Sequence, residues 1–218
     1  VHVVDLPGHG RSAPGGADDL ASLAQAVAAA LPDVDEPATL LGWSLGGQVA
    51  LQMATAHPSR IRRLVLVATS PAFVRRADWP HAMAAETLDR FGGELRADYR
   101  LTLLRFLTLQ VQGSDDGRRT LAALRQRFFE RDGPAGPSLD SALRLLKQSD
   151  LREALPGIRV SSLVIAGDRD TLVPLAATEA LARALPDAAH ATIVGAAHAP
   201  FLSHPRAFFD VLRSHGDG

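Results

Sequence analysis

Two patterns of apolar residues alternate along the chain. Short, mainly apolar stretches fall at residues 1–5, 38–43, 63–69, 161–167 and 190–194, the third continuous from Leu64 to Ala68. Runs of that length, bounded by glycine, proline or charge, predict strands covered on both faces, as in a parallel sheet. Between them, apolar residues recur at the helical period. That spacing predicts helices over residues 19–31, 48–56, 175–185 and 205–214. Asp18-Asp19 puts acid at the positive end of the first helix, and Pro32 stops it. Pro58 ends the second.

The alternation lapses between residues 70 and 155. That stretch offers helical periods at 83–95, 99–111, 118–131 and 139–148 and no strand. Glycine and proline punctuate it at Gly92-Gly93, Gly113 and Gly133-Pro134-Ala135-Gly136-Pro137. The expected organisation is a core of residues 1–70 and 156–218, interrupted by a helical cap insertion over 71–155. Strands alternating with helices place the core in the α/β class, with a mostly parallel sheet and helices on both faces. In such sheets chemistry gathers beyond the carboxyl ends of the strands.

Composition narrows the function. The 218 residues are 46% hydrophobic and 22% charged, enough to build a buried core. The net charge of -1 favours neither nucleic acid nor an anionic membrane as partner. Without cysteine there is no disulfide and no thiolate nucleophile or ligand. No His-x-x-x-His spacing suggests a metal, so none is expected. Gly8-His9-Gly10-Arg11-Ser12 lacks the third glycine and the lysine of the phosphate-binding loops, and no cofactor is expected. No apolar run approaches the length of a membrane span, and no signal peptide is visible. Lys147 is the sole lysine, a composition bias towards arginine.

The chemistry concentrates at Gly42-Trp43-Ser44-Leu45-Gly46-Gly47. An apolar strand enters this Gly-x-Ser-x-Gly turn and a helix leaves it. The tight turn asks for glycine at Gly42 and Gly46, exposes the Ser44 hydroxyl, and aims the Leu45 N–H at a developing oxyanion. A serine needs a base, and the base an orienting acid. Asp168 and Asp170 follow the strand at 161–167, and His198 follows the strand at 190–194. The chain order Ser44, Asp170, His198 is that of an α/β-hydrolase triad. Asp170 is the preferred acid, with Asp168 holding the turn through backbone N–H groups. Among the eight histidines, His57 and His204 read as surface or capping residues, His215 lies near the terminus, and His9 lies in a loop that could approach the site. Trp43 either packs beneath the elbow or lines the pocket.

With these residues in place, the chain resembles the α/β-hydrolases, and within them the carboxylesterases that demethylate a pimeloyl ester on acyl-carrier protein in biotin synthesis. The likeness is carried by Val4-Asp5-Leu6-Pro7-Gly8-His9-Gly10-Arg11-Ser12, by the Ser44 motif, and by Asp170-Thr171-Leu172-Val173-Pro174. It extends to Ser70-Pro71-Ala72-Phe73, Asp78-Trp79-Pro80, Arg105-Phe106-Leu107-Thr108-Leu109-Gln110, and the segment from Ala196 to Pro205. The resemblance implies a Ser44–His198–Asp170 acyl-enzyme mechanism, and a pocket of Trp43, Ser44, Leu45, His198 and the cap residues Phe106, Leu107, Thr108, Leu109 and Gln110. It also implies an acidic carrier protein docked on cap arginines, here Arg118, Arg119 and Arg125, extended by Arg100 and Arg105. Residues 117–131 hold five arginines against Glu130, a local charge of +4, which suits either docking or a solvated helix face. A cytoplasmic monomer is expected. The chain opens inside a strand, so the resemblance implies missing N-terminal strands and a missing His-Gly-Trp-Gly-like loop carrying a second oxyanion donor. The alternatives are a general small-ester carboxylesterase or enol-lactonase of the same fold, or a noncatalytic hydrolase-fold binding protein. Haloalkane dehalogenase chemistry would need a carboxylate in place of Ser44.

Overall fold

The structure, a computed structural model, describes residues 1–13, 19–31, 36–111, 117–129 and 136–215, with the side chains of residues 110, 127–129 and 136–137 outside that description. Asp18, Pro32, Gly113, Glu130, Arg131 and Gly133-Pro134-Ala135 therefore lie outside the described residues.

Four parallel strands form the sheet in the order β1 (Ala38–Trp43), β2 (Ile61–Val67), β3 (Ser161–Gly167) and β4 (Ala188–Ile193). Each neighbouring pair is joined by a crossover. The first contains helix α2 (Leu45–Ala56) and the last α7 (Leu175–Ala184). Helix α1 (Leu20–Ala30) precedes the sheet, with Asp19 accepting from the Ser22 N–H at 2.7 Å as its N-cap.

Alternation along the central strands assigns the two faces. Leu64, Leu66 and Val164 pack with Leu23, Val27, Leu51, Met53 and Leu181 of α1, α2 and α7. Val65, Val67, Leu163 and Ile165 point the other way, towards Phe208 of helix α9 (Pro205–Ser214). Both faces being covered explains why these strands read as unbroken apolar runs.

Helices α3 (Ala85–Ala97), α4 (Tyr99–Gln110), α5 (Gly117–Phe129) and α6 (Gly136–Gln148) lie between β2 and β3. Asp98 caps α4 by accepting from the Leu101 N–H. Val74, Met83, Leu88 and Leu143 form a separate apolar cluster there, reinforced by Lys147–Asp89 and Arg96–Asp140 ion pairs across α3 and α6, each 2.7 Å. At the base of this layer Arg152 bridges Asp78 and Asp150, and Arg76 also reaches Asp150. The chain entering the helices is thereby tied to the chain leaving them.

Three sequence expectations are corrected. Residues 1–5 form no strand among the described residues: Val1 and Val3 are exposed, and the segment pairs with no strand. A strand exists only through its ladder, and the Asp5 groups bond within their own loop instead. The Asp5 carboxylate accepts from the Arg11 N–H at 3.0 Å, and its carbonyl from the Ser12 hydroxyl at 2.7 Å. Helix α2 begins at Leu45, three residues before its apolar period, because the Ser44 backbone turns directly into it. The last strand ends at Ile193, since Val194 is exposed and Gly195 turns the chain at φ +84°.

Candidate active site

The register brings the strand ends to one edge of the sheet. Trp43 lies beside Val67, Val67 beside Ile165, and Gly167 beside Ile193. The residues that follow each strand therefore share one rim: Ser44, Thr69, Asp170 and His198.

Ser44 sits at φ 55° and ψ −121°, a backbone conformation that costs about 1–3 kcal/mol and persists only where the surroundings enforce it. Its N–H donates to Val67 O at 3.0 Å, while its carbonyl accepts from the Gly47 N–H at 2.9 Å and the Thr69 hydroxyl at 2.8 Å. A Cβ on Gly42 would stand 2.3 Å from Gly46 O, and one on Gly47 2.5 Å from Thr69. Gly46 has nothing within 4 Å of such a Cβ. Close approach thus demands glycine at 42 and 47, and the requirement expected at Gly46 is not steric. As the first residue of α2, Leu45 has an N–H that no helical carbonyl reaches, set at the positive end of the helix.

Asp170 and His198 are both buried, their side chains 1% and 3% exposed. His198 Nδ1 meets Asp170 Oδ2 at 2.8 Å. The other carboxylate oxygen accepts from the Leu172 and Val173 N–H groups at 2.8 and 3.0 Å. A carboxylate so placed holds the proton on Nδ1 and leaves Nε2 as the basic nitrogen. Asp168 does a different job: its Oδ1 accepts from the Gly195 N–H at 2.7 Å, and the Arg169 N–H donates to Ala196 O at 2.9 Å. The acid turn is therefore laced to the histidine loop. Gly167 permits this, because a Cβ there would lie 2.3 Å from Ala196 O.

The Ser44 hydroxyl makes no hydrogen bond among the described residues. The link from the elbow to His198 runs through Trp43, whose indole N–H donates to His198 O at 2.7 Å and whose ring lies 5.4 Å from the imidazole.

The expected pocket residues on α4 diverge around the helix. The Phe106 ring lies 6.2 Å from that of His198, and Phe91 stacks behind it at 5.7 Å. Leu107 is buried, Leu109 is exposed, and the Thr108 hydroxyl turns back to Leu104 O. The Gln110 side chain lies outside the described residues. Arg100, Arg105, Arg118, Arg119 and Arg125 are exposed on α4 and α5, which pack together. His9 bonds Pro7 O in its own loop.

Sequence reasoning missed Thr69, Gln48 and the Asp168–Gly195 bond. Gln48 is fully buried, and its amide donates to Ser70 O and Pro71 O, fixing α2 to the chain leaving β2. Thr69 left no signal of its own in the sequence, because its place by the elbow comes from the register of the sheet. Once Trp43 faces Val67, the residues just past each must be neighbours.

Known proteins agree with this frame. The alpha/beta hydrolase fold family matches residues 1–205. The bromoperoxidase of Bacillus anthracis superposes with a TM-score of 0.86 at 21% identity, over 98% of this chain and 80% of that one, which shows the fold alone. A pimeloyl-acyl-carrier-protein methyl ester esterase from Nitrosomonas europaea is 43% identical over 215 residues, covering 97% of this chain and 84% of the relative. One of the same name from Xanthomonas oryzae pv. oryzae is 47% identical over 214 residues, covering 98% and 83%. The rim that gathers an elbow serine, a carboxylate and a histidine is thus carried by a chain that belongs to the alpha/beta hydrolase fold family and, within it, to the family of the pimeloyl-acyl-carrier-protein methyl ester esterases.

Proposed function

We propose that this protein is a serine carboxylesterase that hydrolyses the methyl ester of a pimeloyl group carried on acyl-carrier protein, releasing the free carboxylate and methanol. The observation that carries the chemistry is the buried His198–Asp170 pair at 2.8 Å on the same rim as the strained Ser44 elbow. The relatives' names support the substrate.

His198 Nε2 takes the Ser44 proton as Oγ attacks the ester carbonyl. The negative charge that develops on the carbonyl oxygen is met by the Leu45 N–H and the positive end of α2. Collapse returns the proton to methoxide, so methanol leaves and the pimeloyl acyl group stays on Ser44. Water, deprotonated by the same nitrogen, then releases the carboxylate and restores the hydroxyl. Asp170 stabilises the imidazolium in both halves without itself accepting the proton.

Phe106 is placed in this reading against the acyl chain beside His198, with Leu107, Thr108, Leu109 and Gln110 as the neighbouring channel segment. Arg100, Arg105, Arg118, Arg119 and Arg125 form the docking face for the acidic carrier, the cap being residues 71–155. The carrier is the one macromolecular partner required, and the enzyme acts as a cytoplasmic monomer. No described helix is long and apolar enough to cross a membrane.

The test follows release of methanol from a pimeloyl-carrier-protein methyl ester, with Ser44→Ala as control and a short p-nitrophenyl ester alongside. Ser44-dependent cleavage of the carrier-linked ester is expected. Cleavage of the small ester alone would leave a general carboxylesterase. Failure of Ser44 to react with a fluorophosphonate probe would point to a noncatalytic binding protein.

A further inference from the structure

We propose that Trp43 is a positioning residue for His198: its indole N–H clamps the histidine loop to the nucleophile strand and sets the distance from base to serine. The proposal rests on the Ser44–His198–Asp170 reading and replaces the pocket role that the sequence suggested for Trp43.

Trp43 is the last residue of β1 and the chain neighbour of Ser44, while His198 lies 155 residues away in sequence. One side chain grips the histidine twice. The indole nitrogen stands 2.7 Å from the His198 carbonyl oxygen, and the indole ring lies tilted at 50° against the imidazole, centroids 5.4 Å apart. The same indole meets Phe201 edge-on at 5.3 Å, so it also seats the short helix α8 (Pro200–Ser203) that follows the loop.

The rest of the loop has its own anchors, and they leave a gap that Trp43 fills. Asp168 holds Gly195 and the Arg169 N–H holds Ala196, both upstream of the histidine. Asp170 fixes the imidazole through Nδ1. That bond orients the ring towards its acid and does not place it relative to the serine. Among the described residues no hydrogen bond joins Ser44 Oγ to the imidazole, whose Nδ1 is taken by Asp170. The frame must hold the two together, and the most direct hydrogen-bonded path from His198 back to Ser44 is the Trp43 side chain, the other running the long way through β2, β3 and Asp170. An uncharged N–H is suited to this: it orients the loop and adds no charge beside the imidazolium. Displacing a catalytic group by about 1 Å is enough to lower turnover about a hundredfold.

Trp43→Phe keeps an aromatic ring for His198 and Phe201 and deletes only the donor. Trp43→Leu deletes both. Steady-state kinetics on the carrier-linked ester and on p-nitrophenyl butyrate would be read beside thermal unfolding and the rate of fluorophosphonate labelling at Ser44. In Trp43→Phe we expect kcat to fall about ten- to a hundredfold on both esters, with KM unchanged and labelling slowed in proportion, in a protein whose unfolding midpoint stays near that of the parent. A raised KM with kcat retained would overturn the proposal and return Trp43 to the pocket wall. Unchanged kinetics would overturn it as well. If the kinetic loss instead follows the loss of unfolding midpoint across both variants, the residue is packing alone and the proposal fails. Ser44→Ala and His198→Ala separate this from the underlying reading: were either to keep parental activity, the catalytic assignment itself would fall, whatever Trp43→Phe does.

Discussion

Asp170 shows how one side chain divides its work. One oxygen belongs to the backbone, accepting from Leu172 and Val173, and the other to His198. Asp170→Asn preserves the first role, since an amide carbonyl still accepts, and inverts the second, because an amide N–H faces Nδ1 and forces the wrong tautomer. Turnover should fall about 10⁴-fold with KM and unfolding midpoint close to those of the parent, a split that steady-state kinetics and calorimetry would read together. That Asp170, His198 and Ser44 would share one rim was legible in the sequence because each follows a strand. The Trp43 bond to His198 was not: sequence can name a tryptophan beside a serine, but not the carbonyl its indole finds 155 residues on.

The elements that build the elbow are governed by close approach. A methyl at Gly42 meets the fixed carbonyl of Gly46, and overpacking of that kind costs about 1–3 kcal/mol. Gly46 is helical and faces open space, so Gly46→Ala should be neutral or gain up to about 1 kcal/mol from helix propensity. Denaturant midpoints of Gly42→Ala and Gly46→Ala should therefore move in opposite directions, or only the first should move. The Gly-x-Ser-x-Gly pattern alone gave the two glycines equal weight.

The base of the helical layer makes a second prediction at the scale of elements. The Arg152 guanidinium, hydrogen-bonded to Asp150, holds that carboxyl below its usual range, helped by Arg76 and opposed by partial burial. A depressed acid contributes stability above its unfolded value, about pH 4, and loses it as pH falls through the lowered one. Arg152→Gln should cost about 1 kcal/mol near neutrality and move the acid-unfolding midpoint to higher pH. An acid limb unchanged from the parent would show that the bridge does not contribute.

For the whole molecule, the proposed docking of an acidic carrier on a nearly neutral chain would have to rest on local charge. The net charge is -1, yet exposed arginines gather on α4 and α5. Arg118→Glu with Arg119→Glu should raise KM for the carrier-linked ester about tenfold while leaving p-nitrophenyl ester turnover alone, and added salt should weaken the parent in the same direction. Equal loss on both esters would place those arginines in folding and not in docking.

Read without its fold, this chain determined its class and pointed to the groups of the proposed site, because periodicity reports local burial and the elbow, the acid turn and the histidine loop each leave a local signature. What it could not fix were relations between distant segments. That residues 1–5 form no ladder among the described residues, that glycine is sterically required at 47 and not at 46, and that Asp168 and Trp43 fasten the histidine loop from two sides all depend on which backbones meet. A strand needs a partner and a hydrogen bond needs two ends, and the second member of each pair is chosen by packing across the sheet rather than by its neighbours in the chain.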